Sequence, residues 1–120
     1  MKRILIADDD EAICSLIASM LEGAYETCCA VGLEATQCAL GQNRFDLIIA
    51  DYFLGTPDPY PSVWPLGEVC RRLAPRTPII ALTGLDPSLR SLTRSSGARA
   101  IMPKPFDMQD LLTTVGQTLA

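Results

Sequence analysis

Leu47-Ile48-Ile49-Ala50-Asp51 is four aliphatic residues closed by a carboxylate. Nothing in the run alternates, so a strand built from it is apolar on both faces, as in a parallel sheet covered by helices. The same design recurs on either side. Ile4-Leu5-Ile6-Ala7 ends on Asp8-Asp9, Ile79-Ile80-Ala81-Leu82 ends on Thr83, and Ala100-Ile101-Met102 precedes Lys104. In open α/β sheets the ligand crevice lies beyond the carboxyl ends of the strands. Three carboxylates, a hydroxyl and an ammonium are therefore predicted to converge on one spot.

The segments between the runs read as the helices such a sheet needs. Ala12, Ile13, Leu16, Ile17, Met20 and Leu21 recur at helical spacing, with Gly23 placed to close that helix. Thr27, Cys29 and Val31 alternate with other residues, which suits a half-exposed edge strand. A weaker helix is predicted from about Leu33 to Leu40, with Gly41 as its stop, and a third on Leu66, Val69, Cys70 and Leu73. Pro87 is placed to start a fourth helix and Gly97 to end it. Asp107 is placed to cap a last helix carrying Met108, Leu111, Leu112, Val115 and Leu119. Five strands alternating with five helices imply right-handed crossovers and a doubly wound α/β sheet. One stretch is irregular: Gly55 to Pro65 holds four of the nine prolines and reads as an extended loop beside Asp51.

At 120 residues the chain is predicted to be a single domain spanning 1–120. A formal charge of −4 argues against nucleic acid as a direct partner, because phosphate binding needs a basic face. No apolar run is long enough to span a membrane, so the expectation is no membrane contact and a cytoplasmic location. Histidine is absent, which removes catalytic histidine pairs, histidine metal sites and phosphohistidine carriers together. The cysteines at 14, 28, 29, 38 and 70 form no CxxC pair, and their odd number without a secretion signal reads as reduced, buried thiols. Structural filler is the expected role, with redox sensing as the alternative.

Paired carboxylates at strand ends make a hard, oxygen-rich site that suits Mg²⁺, which binds through one or two carboxylates and keeps exchangeable waters. A carboxylate is a competent nucleophile toward phosphorus, giving an aspartyl phosphate. Its phosphoryl oxygens then need donors, which a metal, an ammonium and a hydroxyl supply. Asp8 to Glu11 could instead be acids favouring a helix N-terminus, and Asp10 and Glu11 are read that way.

In this light the chain resembles the receiver domain of two-component response regulators. ILIADDDEAI is similar to its acidic pair, FDLIIADYFL to its phosphoacceptor strand, IIALTG to its switch-hydroxyl strand, and AIMPKPF to its lysine-proline motif. The resemblance covers essentially the whole chain. It implies a flavodoxin-like sheet in the order 2-1-3-4-5 with five helices. It also implies phosphoryl transfer to Asp51 from a histidine kinase or histidine phosphotransfer protein. Asp9, Asp8, Asp51 and the Phe53 main-chain carbonyl would hold Mg²⁺. Thr83 would hydrogen-bond the phosphoryl oxygens and Lys104 would pair with them, across a cis Lys104–Pro105 bond. Phosphorylation would alter the face formed by the fourth helix, fifth strand and fifth helix, through an added charge of about −1.5 to −2. A receiver assists its own phosphorylation and dephosphorylation, so no turnover on a separate substrate is expected. No effector segment follows the last helix, which fits either a single-domain regulator or the receiver of a larger protein.

Several positions depart from the family pattern. Ile101 stands where many receivers place a switching aromatic, Gly55 where a proline is frequent, and Gly67 sixteen residues after Asp51, so the loop over the site is lengthened. Tolerated insertion and a lid or partner contact through Tyr60 and Trp64 both fit that loop. Phe53 and Leu85 occupy positions that tune phosphoryl lifetime, and neither can position water, which implies slow self-dephosphorylation. A haloacid-dehalogenase-type phosphatase fits poorly: Ala12 stands where its motif needs Thr or Val, and only sixteen residues follow Lys104. The remaining alternative is a phosphorylation-independent docking module on the same fold.

Overall fold

The computed structural model describes residues 1–51, 65–83 and 97–120. In chain order the elements are β1 (Arg3–Asp8), α1 (Glu11–Leu21), β2 (Glu26–Val31), α2 (Leu33–Gln42) and β3 (Leu47–Asp51). α3 (Pro65–Leu73), β4 (Ile79–Thr83), β5 (Ala100–Pro103) and α4 (Met108–Leu119) follow. The five strands form one parallel sheet in the order β2-β1-β3-β4-β5, as expected. Four helices are seen among the described residues. The further helix expected to start at Pro87, the loop residues from Gly55 to Trp64, and Phe53 and Leu85 lie outside them.

Strand periodicity divides the core in two. Leu5, Ala7, Ile48, Ala50, Ile79 and Ala81 pack with Leu40, Leu66, Val69 and Cys70 of α2 and α3. Their sequence neighbours Ile4, Ile6, Leu47, Ile49, Ile80 and Leu82 pack with Cys14, Ile17 and Leu21 of α1 and Leu111 and Val115 of α4. Each central strand is thus apolar on both faces because each face meets helices. Burying one such side chain contributes about 1.5–3 kcal/mol, and this doubled core fixes where the strands end.

Helix ends follow local chemistry. Asp10 caps α1, its carboxylate accepting from the Ala12 N–H at 2.9 Å. Asp107 caps α4 the same way, from Asp110 N–H at 2.7 Å. Pro65 opens α3, where its missing N–H is harmless.

Three expectations are corrected. α2 runs through Gly41 to Gln42, because a glycine stops a helix by taking positive φ and Gly41 does not. Asn43 in an extended conformation ends it, its N–H donating to Ala39. On α1, Ala12 and Leu16 are exposed and Cys14 is buried, since the face pressed to the sheet runs along Cys14, Ile17 and Leu21. The apolar stripe in the sequence is wider than that face. Of the five cysteines only Cys14 and Cys70 are buried; Cys28 is half-buried, and Cys29 and Cys38 are exposed because β2 is an edge strand and Cys38 faces out from α2. No helix among the described residues is long and apolar enough to cross a membrane.

Candidate functional site

The order in which strands are added reverses between β1 and β3, so a crevice opens at their carboxyl ends. Register supplies its contents. Ala7 lies opposite Ala50, so Asp8 and Asp51 are the next residues on adjacent strands. Asp51 pairs with Leu82, and Thr83 follows it on β4. Thr83 in turn pairs with Pro103, which precedes Lys104. Proline is tolerated in β5 because that strand is an edge.

One carboxylate oxygen from each of Asp8, Asp9 and Asp51 lies within 4.8 Å of the others. Asp8 is fully buried, Asp51 nearly so, and Asp9 is exposed. Lys104 Nζ donates to Asp8 Oδ2 at 2.9 Å and stands 3.7 Å from Asp51 Oδ1. The second Asp8 oxygen accepts from the Asp10 N–H at 3.0 Å, so both oxygens of this carboxylate are held. Thr83 is buried at the end of β4, and its carbonyl accepts from the Lys104 N–H at 2.7 Å. That bond extends the β4–β5 ladder to the lysine and anchors its base. The Lys104–Pro105 peptide is cis.

Burial works to lower the Lys104 pKa. The hydrogen bond to Asp8 and the charges of Asp51, Asp8 and Asp9 outweigh it, and the ammonium sits above its ordinary range. Among the described residues the site therefore has three carboxylates against one fixed cation, a surplus of negative charge held by strand ends. An all-oxygen donor set of this kind fits a small hard divalent cation. A thiol or imidazole ligand, which would favour a softer metal, is not among the clustered donors.

Of the residues singled out in the sequence, Asp8, Asp9, Asp51 and Lys104 come together, and Thr83 is brought to the same edge. Phe53 lies outside the described residues. Sequence reasoning did not find the Lys104–Asp8 pairing, because it concerns residues 96 positions apart. Nor did it find the Asp10 main-chain N–H as the group orienting Asp8. The signal for that was present, since Asp readily accepts from the N–H two residues on.

A family model described as the response regulator receiver domain matches residues 4–116. The chain is 31% identical over 119 residues to the DNA-binding transcriptional regulator NtrC of a Bradyrhizobium species, covering 98% of this chain and 24% of that protein. It is 36% identical over 122 residues to the DNA-binding dual master transcriptional regulator RpaA of a Synechocystis species, covering 96% and 48%. The chain thus spans about a quarter and about half of these two relatives. Among solved structures, the chemotaxis response regulator CheY4 of Vibrio cholerae superposes with a TM-score of 0.83 at 26% identity, covering 98% of both chains. A match across nearly the whole length, on a sheet of the order 2-1-3-4-5, means that the chain belongs to the response regulator receiver domains of two-component systems.

Proposed function

We propose that this receiver is a phosphoacceptor whose nucleophile is Asp51. The observation that carries the reading is the geometry around that residue: a buried carboxylate within 4.8 Å of two others and 3.7 Å from an ammonium. An Asp51 oxygen attacks the phosphorus of a phosphohistidine. The new O–P bond forms as the P–N bond breaks, and the imidazole leaves with a proton from solvent. The donor is a histidine kinase or a histidine phosphotransfer protein. Asp8, Asp9 and Asp51 are the residues that would hold Mg²⁺, which when bound offsets negative charge on the incoming phosphoryl oxygens. Lys104 pairs with those oxygens, leaving its present position between Asp8 and Asp51. Thr83 donates its hydroxyl to them. Asp10, through its main-chain N–H, is a positioning residue that keeps Asp8 aimed into the cluster.

The outcome is a signalling state rather than turnover of a separate substrate. An added dianionic group with new acceptor oxygens draws Thr83 and Lys104 inward, and their strands carry the change to the protein surface. Phe53 and Leu85 keep the group long-lived.

Intact mass after incubation with a small-molecule phosphodonor tests the reading. One phosphoryl adduct that requires Mg²⁺ and is lost in Asp51→Asn supports it. No adduct from small donors or from a panel of phosphorylated histidine kinases would leave the docking-module reading in its place.

A further inference from the structure

The phosphoacceptor reading uses none of the cysteines, yet two of them meet. Cys14 is on α1 and buried, and Cys29 is on the edge strand β2 and exposed. The Cys29 thiol donates to the Cys14 carbonyl at 3.5 Å, which places its sulfur against the Cys14 residue of α1. Neither partner is bonded to a third cysteine. Cys29 also lines an open groove of about 450 Å³ between α1 and β2, whose other walls include Ser15, Ser19, Glu22, Tyr25 and Thr27. The groove is open to solvent, so a small polar disulfide can reach Cys29 through it.

We infer that Cys29 and Cys14 form a thiol–disulfide exchange site, with Cys29 attacking a low-molecular-weight disulfide in the α1–β2 groove and Cys14 resolving the product. In the first step the Cys29 sulfur bonds to one sulfur of the small disulfide, whose S–S bond breaks. One small thiol departs with the proton Cys29 gave up. In the second step the Cys14 sulfur attacks the Cys29 sulfur of the mixed disulfide, and the second small thiol departs with the Cys14 proton. Two protein thiols and one disulfide become one protein disulfide and two small thiols. An S–S bond of about 2.05 Å requires the Cys29 sulfur to turn from the Cys14 carbonyl to the Cys14 sulfur.

The environment sets the rates. Burial and the neighbouring Cys28 raise Cys29, against its hydrogen bond with Cys14. Few thiolates are present at neutral pH, so exchange starts slowly. Thiols of high pKa are also poor leaving groups, so the bond once made resists reversal. Cys38, exposed on α2 and outside this pair, is expected to stop at the mixed disulfide.

The test uses the whole chain, treated with oxidised glutathione at mildly alkaline pH and mapped by peptide mass without reduction. The Cys28→Ser protein is expected to yield a peptide pair joined through Cys14 and Cys29, two hydrogens lighter than the reduced pair. Cys14→Ser should stop with glutathione on Cys29. A Cys29-containing peptide that keeps its glutathione while Cys14 is intact would overturn the inference. So would a link to Cys14 that disappears in Cys28→Ser. Circular dichroism of each variant before treatment separates loss of exchange from loss of fold.

Discussion

At the scale of single residues, the crevice is an electrostatic problem held in place by strand ends. Asp51 faces two carboxylates within 4.8 Å and one ammonium at 3.7 Å. At an effective dielectric near 20 each of these pairs is worth about 4 kcal/mol, so among these charges of the described residues two repulsions outweigh one attraction. Asp51→Asn keeps the shape and removes the charge. In chelator it should raise unfolding free energy by about 1–2 kcal/mol after relaxation. Saturating Mg²⁺ should narrow that gap, since binding to the folded state alone stabilises the parent chain by mass action. Urea titration with and without Mg²⁺ measures both, and a lower midpoint for Asp51→Asn in chelator would refute the charge argument. Much of this was legible in the sequence, because Asp8, Asp9, Asp51 and Lys104 each follow an apolar run. The preference of Lys104 for Asp8 was not, since pairing across the sheet depends on register and side-chain reach.

At the scale of elements, two joints make testable statements. Gly32 links β2 to α2 at φ 94° and ψ 164°, a conformation essentially reserved for glycine. Its N–H donates to the Asp8 carbonyl at 3.0 Å, and its carbonyl accepts from the Thr36 hydroxyl at 2.8 Å. Gly32→Ala meets no steric neighbour, so its cost is backbone strain alone, about 1–3 kcal/mol. Chemical denaturation measures it, and a neutral result would contradict the assigned backbone. The second joint is α3 on the sheet, where burial pushes the Cys70 thiol from 9.0 to about 12. The folded chain then holds this proton more tightly than the unfolded chain does. Its contribution is fully present below pH 9.0 and is lost as pH rises from there through about 12. Cys70→Ala should flatten the fall in stability over that window while lowering stability at neutral pH. An unchanged slope would show that Cys70 ionises as freely folded as unfolded. The elements themselves were readable from periodicity and caps: Asp107 was expected as a cap and serves as one. Gly41 and Leu16 were misleading, because neither a glycine's φ nor the rotation of a helix against a sheet is written in local sequence.

At the scale of the whole molecule, the sheet order and the placement of the acids form one fact. A chain whose strand order reverses between β1 and β3, with Ala7 opposite Ala50, brings Asp8 and Asp51 side by side, because the charged residue ending each run stays out of the apolar core. That is why fold and candidate site were legible together. The cysteine pairing was not, because it arises between the face of α1 and the edge of β2, where sequence shows only five scattered thiols. The central claim is that Asp51 carries the phosphoryl group, and trapping the acyl phosphate tests it most directly. Borohydride reduces an aspartyl phosphate to homoserine, which peptide mass mapping locates. After phosphodonor treatment with Mg²⁺, homoserine is expected at position 51 and absent in chelator. Homoserine at position 8 or 9, or a phosphoryl adduct that borohydride leaves untouched, would contradict the account.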